Sequence, residues 1–294
     1  MTNNDGPEII ILGIDALEYK FVEEWRLLNI MQEKYCKLDL SDYRVIVTPP
    51  IWGSMITGKI DEEIIDIWVK HAEIMGGGVK VEQKRWVQII GKIIPNKLGF
   101  FLWDHFYSKK IGGDPFETTA NYVNNKKLPT IFDLFNNTWT NGLPGYGKNV
   151  SGGEKKKLTE KAISGDKEPF RKYILNQYSR DKSQLLEKLE KKENDLIFWY
   201  TPMLDNLGHM DIGKPLTHMM KHYLEINSLI GKVKNICPKS KLYIVSDHGM
   251  EKMDPKNTSW GMHSDHAFFS SNTGETIEKP FQLYNLVKNQ SNEE

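Results

Sequence analysis

Short unbroken apolar runs punctuate this chain: Ile9-Ile10-Ile11-Leu12-Gly13-Ile14, Val45-Ile46-Val47, Leu196-Ile197-Phe198-Trp199-Tyr200 and Leu242-Tyr243-Ile244-Val245. Runs of this length without polar alternation are what strands buried on both faces require. Between them the apolar positions change to helical spacing. Phe21, Trp25, Leu28 and Met31 share one stripe, as do Ile64, Ile67, Trp68 and Ile74 within Asp61–Met75. The pattern predicts strands at Glu8–Ile14, Cys36–Leu40, Tyr43–Val47, Trp139–Leu143, Leu196–Tyr200, Lys241–Ser246 and Ala267–Ser270. It predicts helices after Pro49-Pro50, over Asp61–Met75, Pro129–Phe135, Pro215–Ile236 and Phe281–Val287, and in at least two pieces across Ser151–Lys192. Prolines at 49 and 50 suit a first helical turn, where a missing N–H costs nothing. Strands alternating with helices imply an α/β fold, a mostly parallel sheet sandwiched by helices.

One stretch breaks the alternation. From about residue 79 to 125 the chain is aromatic and basic and shows no clear two-residue period. It reads as a lid or cap inserted into a single domain spanning 1–294.

Composition narrows the class. The 294 residues carry 39 Lys and Arg against 39 Asp and Glu, so the formal charge is zero. A nucleic-acid polymer is therefore not an expected partner. No run of eighteen apolar residues is present, so no membrane span is expected. Met1–Gly6 has neither a basic nor an apolar signal region, and Cys36 and Cys237 form no ligand spacing. A cytoplasmic protein with reduced thiols is the expectation.

The chemistry sits where the strands end. Asp15 closes the first run, Thr48 the second, and Asp247-His248 the fourth; Asp205 and His209 follow the third. In open α/β sheets, sites form at this carboxyl edge. Asp205 and His209 are four apart and share one face of a helical turn. Asp247 and His248 are adjacent, so their side chains diverge unless the backbone turns, and Gly249 permits a turn. His263 lies in the loop Gly261-Met262-His263-Ser264-Asp265-His266. Carboxylate and imidazole ligands suit zinc, with manganese or iron as alternatives. Three Asp and three His are enough for two ions that share a Thr oxygen, a clamp for in-line phosphoryl transfer when the ions lie about 4 Å apart. A free hydroxyl is a weak nucleophile and metal coordination activates it, which makes Thr48 the candidate. A helix beginning after Thr48 would turn its positive end toward a phosphate.

In these features the chain resembles the alkaline phosphatase superfamily, and within it the type I phosphodiesterase/nucleotide pyrophosphatase branch. The resemblance is carried by Gly13-Ile14-Asp15, Thr48-Pro49-Pro50 with Ser54, Thr57 and Gly58, Asp205-x-x-x-His209, Ser246-Asp247-His248-Gly249-Met250 and Gly261-x-His263. These motifs stand in the family's order. The resemblance implies an alkaline-phosphatase-like fold and two divalent ions, zinc or alternatively manganese. One would be held by Asp15, Thr48, Asp247 and His248, the other by Asp205, His209 and His263. It further implies attack of Thr48 on phosphorus, release of an alcohol, and hydrolysis of the phosphothreonine by water. The substrate would be a phosphorylated small molecule, with a nucleotide as one candidate. A phosphomutase or phosphotransferase of the same superfamily is the alternative. The chain departs from the pattern at one point. Nucleotide pyrophosphatases carry an Asn about twenty residues after the nucleophile, whereas this chain has Trp68-Val69-Lys70-His71 there. Lys59, Lys70 and His71 are candidates to replace it.

Other polar residues have plainer readings. His218 and His222 are four apart on an expected helix and read as a solvated face. Asp265 reads as a turn residue, and His266 as either exposed or supporting the site. Asp104-His105 has no partner in the sequence. Trp86, Phe100, Phe101, Trp103, Phe106 and Tyr107 read as packing within the insertion or at a dimer contact, with a substrate-stacking wall as the alternative, and Lys155-Lys156-Lys157 reads as a solvated helix face. Trp52 either lines the pocket or packs its helix on the sheet.

Overall fold

The structure, a computed structural model, describes residues 6–75, 115–148, 153–215, 217–252 and 261–291. Its elements in chain order are β1 (Ile9–Ile14), α1 (Tyr19–Glu24), α2 (Leu28–Met31), β2 (Lys34–Asp39), α3 (Thr48–Thr57), α4 (Glu62–Met75), α5 (Pro115–Thr119) and α6 (Tyr122–Asn125). A 3-10 turn (Ile131–Leu134), β3 (Thr138–Thr140), β4 (Leu143–Pro144), β5 (Gly147–Lys148), α7 (Gly153–Ile163), α8 (Glu168–Lys191), β6 (Leu196–Thr201) and α9 (Met203–Asp211) follow. The last are α10 (Thr217–Ile236), β7 (Lys241–Ser246), β8 (Met250–Lys252), β9 (Gly261–His263), β10 (His266–Ser271) and α11 (Gln282–Ser291).

Six strands form the main sheet in the order β2-β10-β7-β1-β6-β3. β10 runs antiparallel to both of its neighbours, and the pairings of β1 with β6 and β7, and of β3 with β6, are parallel. Alternate residues of each central strand enter opposite cores. Ile10, Leu12, Ile197, Trp199, Leu242 and Ile244 meet α1, α2, α8, α9 and α10. Ile9, Ile11, Phe198, Tyr200, Tyr243 and Val245 meet α3, α4, α6 and α11. The expected mostly parallel sheet flanked by helices is thus the fold observed.

Several elements differ from expectation. The expected helix Pro129–Phe135 is a 3-10 turn at Ile131–Leu134, the expected strand Trp139–Leu143 divides into β3 and β4, and the expected loop around His263 contains β9. Tyr43–Val47 forms no strand. Its polar groups serve other partners: the Ile46 carbonyl accepts from His263 Nδ1, and the Tyr43 side-chain hydroxyl bonds Ser54 Oγ. The single stripe from Phe21 to Met31 is two short helices, interrupted where Arg26 takes a φ of 48°.

Trp52 is fully buried and packs α3 on the sheet. Its indole meets Phe198 and Tyr200 edge-on, with ring centroids 6.1 and 5.4 Å away. Gly13 makes room for it, since a Cβ there would lie 2.9 Å from Trp52 Cη2. Such aromatic pairs contribute about 1 kcal/mol each beyond burial, so the anchor of the Thr48 helix is substantial.

Of the expected insertion, residues 79–114 lie outside the described residues, and with them the aromatics from Trp86 to Tyr107 and Asp104-His105. Its last part is packed helix: Tyr122 and Val123 are buried in the core shared with α3 and α4.

His222 is not on a solvated face, although His218 is exposed: His222 is buried. Burial, aided by the Lys221 charge, pushes its ring down from 6.5 to about 4. The unfolded chain therefore takes up this proton below about pH 6.5 and the folded chain only below about pH 4. Stability contributed by the neutral ring is present above that window and is lost as pH falls through it. His222→Leu is expected to flatten the fall in stability between pH 7 and 4.5 by on the order of 2 kcal/mol, measured by urea denaturation at the two pH values.

Candidate metal centre

The site begins with strand register. Ile14 of β1 pairs with Thr201 of β6, and Gly13 with Val245 of β7, so three parallel strands end level. The residues just beyond them are Asp15, Pro202 onward, and Asp247-His248. Asp15 leaves β1 on a hydrogen bond from its N–H to Thr201 O at 3.0 Å. The next residue, Ala16, has a φ of 59°, a strained value for a residue with a Cβ. Leu17 N–H donates to Ser246 Oγ at 3.0 Å and holds the turn.

These residues form two adjoining clusters. In one, Asp15, Asp247 and His248 bring ligand atoms within 4.8 Å of one another; in the other, Asp205, His209 and His263 do the same. The rings of His248 and His263 stack at 3.6 Å where the clusters meet. Thr48 Oγ1, at the start of α3, lies 3.4 Å from His248 Nε2. All seven residues singled out in the sequence therefore converge.

The imidazoles are oriented from behind. His209 Nδ1 lies 2.9 Å from Gly261 O, His248 Nδ1 3.0 Å from Gly249 O, and His263 Nδ1 3.0 Å from Ile46 O. A carbonyl only accepts, so each Nδ1 carries the proton and each Nε2 of a neutral ring presents a lone pair to the site. Yet those Nε2 atoms face acceptors. His248 Nε2 is 3.4 Å from Asp15 Oδ1 and 3.2 Å from Asp247 Oδ2. His209 Nε2 is 3.1 Å from Asp205 Oδ1 and 3.2 Å from His263 Nε2. Buried Asp15 Oδ1, Asp205 Oδ1 and both Asp247 carboxylate oxygens receive no hydrogen bond. In the first cluster lone pairs converge on orphaned carboxylate oxygens, and in the second a proton on His209 occupies the place between imidazole and carboxylate that a cation would take, so both donor sets fit a cation.

Electrostatics separates the two. Burial, then the Asp247 charge, raises Asp15 well above the carboxylate range, against a 2.5 Å hydrogen bond from the Tyr200 hydroxyl. Burial raises Asp247 to about 8. Without a cation, this pair keeps a proton at neutral pH. Burial and the neighbouring His263 hold His248 low, hence neutral. In the other cluster burial also opposes charge, but Asp205 and His209 form an ion pair. Asp205 is driven well below its usual value and His209 up to about 9.

Some supporting residues escaped the sequence reading. Tyr200 was visible only as the end of an apolar run. Glu18, three residues after Asp15, is buried and accepts from Met250 N–H at 3.1 Å. Gly249 has no positive φ; a Cβ there would overlap Glu18 Oε2 and Ser264 Oγ, so close approach and not turn conformation requires glycine. His266 supports the site region through Glu18, and Asp265 is exposed, next to His266 and no ligand imidazole. Lys59 and Lys70 are exposed, and His71 lies edge-on to Trp68.

The family model described as type I phosphodiesterase/nucleotide pyrophosphatase matches residues 96–273, more than half of the chain. The chain belongs to this family. It is thereby a member of the alkaline phosphatase superfamily, whose α/β fold the sheet is consistent with. Membership of the phosphodiesterase/pyrophosphatase family supports hydrolase activity of that type and implies a phosphorylated small-molecule substrate such as a nucleotide. The matched stretch contains Asp205, His209, Asp247, His248 and His263, while Asp15 and Thr48 precede it and reach the site through the fold. No curated protein matches the chain. Among the described residues, no helix is long and apolar enough to cross a membrane.

In this phosphodiesterase-family chain the buried Asp15–Asp247 pair costs stability when no cation is bound. Asp247→Asn is expected to stabilise the protein in excess chelator at pH 7.5 by about 1 kcal/mol or more. Paired thermal and urea melts of wild type and variant check this; a lower melting point for the variant would contradict the electrostatic account.

Proposed function

We propose that this chain is a phosphoric ester hydrolase that uses two divalent ions, zinc or alternatively manganese, and Thr48 as nucleophile. The observation that carries the reading is the pair of orphaned donor clusters meeting at His248 and His263, with Thr48 Oγ1 beside His248. Asp15, Asp247, His248 and Thr48 would hold one ion, and Asp205, His209 and His263 the other. Such ions supply charge neutralisation for the phosphate, favour the alkoxide form of a coordinated hydroxyl, and stabilise a leaving oxygen.

The chain's own residues do the rest. Thr48 Oγ1 attacks phosphorus in line, a P–O bond forms to Thr48, and the bond to the leaving alcohol breaks. Water then displaces Thr48 from the phosphothreonine. Thr48 is the first residue of α3, and of Thr48, Pro49 and Pro50 only Thr48 has an N–H to offer a phosphate oxygen. The helix start adds a partial positive charge at the same point. Backbone carbonyls of Ile46, Gly249 and Gly261 hold the three imidazoles in the tautomer that binds cations. Side-chain exposure of 37% at His209, against none at His248, leaves the second cluster the more accessible to water.

Thr48→Ala is expected to keep its fold and bind zinc as wild type does, while turnover of an aryl phosphodiester falls about a thousandfold or more. Circular dichroism, elemental analysis and a rate assay check the three parts. Near-wild-type turnover would remove Thr48 from the mechanism. Parallel assays of an aryl phosphomonoester, an aryl phosphodiester and a nucleotide diester, each with and without zinc or manganese, identify the ester class. A wild type that binds neither metal after loading would defeat the two-ion reading.

A further inference from the structure

Glu18 is a buried carboxylate that touches none of the seven site residues. It begins α1 as an N-cap, accepting from Lys20 N–H at 3.1 Å. Capping needs one oxygen and no burial. The remaining partners come from more than 230 residues away. Oε2 accepts from Met250 N–H at 3.1 Å and from Ser264 Oγ at 3.2 Å, and Oε1 lies 3.1 Å from His266 Nε2. The other ring nitrogen of His266 is 3.3 Å from Asp265 Oδ1, so both nitrogens face carboxylates, which favours the charged ring and raises its proton affinity. Glu18 is held below its usual value despite burial by these same partners, His266 foremost.

Each partner has a place in the site's scaffold. Met250 follows the Asp247-His248-Gly249 turn, which carries two residues of the first cluster. Ser264 directly follows His263 of the second. Glu18 itself ends the turn that begins at Asp15. The two loops are also tied directly, by Gly249 N–H to His266 O at 2.9 Å and Ser264 N–H to Gly249 O at 3.1 Å. Gly249 is glycine because the Glu18 carboxylate occupies the space a Cβ would need.

We infer that Glu18, partnered by His266, is a positioning residue that sets the separation of the two ion-binding clusters by bolting the turn after β7, which carries Asp247 and His248, to the end of β9, which carries His263. The inference rests on the two-ion reading. An amide at position 18 cannot replace the carboxylate. One of its two ends must be an NH2, which would face either the Met250 N–H and Ser264 hydroxyl or the Lys20 N–H and His266 ring, donor against donor.

Cobalt is the probe, because it takes nitrogen and oxygen ligands as zinc does and its visible spectrum reports ligand geometry. Wild type is expected to bind about two Co2+ per chain. Glu18→Gln is expected to weaken at least one of these sites about tenfold to a hundredfold, the effect of losing a residue that orients ligands, and to change the visible spectrum. His266→Ala is expected to act in the same direction, and His266→Gln, which retains a donor toward Glu18, to restore part of the affinity and spectrum. Wild-type cobalt affinity and spectrum in Glu18→Gln, whatever its melting temperature, overturn the inference by reducing Glu18 to a helix cap. If Glu18→Gln does not fold, His266→Ala is judged by the same criterion. A wild type that binds no cobalt overturns the two-ion reading itself, and the inference with it.

Discussion

Three parallel strands hydrogen-bonded in one level register carry the whole arrangement. With β6, β1 and β7 locked side by side, the chain has no freedom to separate Asp15 from Asp247, and Asp205 follows within the first turn after β6. The ladder and the two apolar cores outweigh the local repulsion. The result is a set of buried carboxylates and imidazole lone pairs aimed at common points. Each orphaned oxygen there is a liability in the bare protein, and under the proposed two-ion function it is also a ligand. Turns that would otherwise be plain connections take on strain and glycine for this reason, as at Ala16 and Gly249.

The two clusters divide the work by environment. Asp15, Asp247 and His248 are buried, and there two carboxylates compete for one proton. Asp205, His209 and His263 lie toward solvent and settle into an ion pair. The same fold thus makes one donor set rich in negative charge and another rich in imidazole. The parts that orient them are mostly backbone: three carbonyls fix three imidazoles, and one carboxylate, Glu18, ties the segments that follow His248 and His263. Side-chain chemistry supplies the donors, and loop geometry decides where they point.

How much of this could be read in advance depended on distance along the chain. Asp205 and His209 were predictable as a pair because helical periodicity alone places them on one face. The two-sided burial of the strand runs was equally visible, since unbroken apolar sequence in a sheet calls for cover on both faces. Tyr43–Val47 misled because three apolar residues satisfy the strand pattern, yet its carbonyl and hydroxyl groups are taken by His263 and Ser54. His222 misled because a polar residue at helical spacing looks solvated until the neighbouring helices are known. Trp52 could not be decided either, because the answer lay in a missing Cβ at Gly13.

The sequence by itself determined the α/β class, the inventory of Asp, His and Thr at strand ends, and the family to which their order points. Those properties are local, written in periodicity and in short motifs. Only the tertiary structure decided which residues meet, which cluster is buried, which nitrogen of each imidazole carries the proton, and that Glu18 and Tyr200 stand behind the site. Those depend on contacts between residues up to about 250 positions apart, such as Glu18 with His266. Such contacts exist only once the sheet register has brought distant turns within hydrogen-bonding distance.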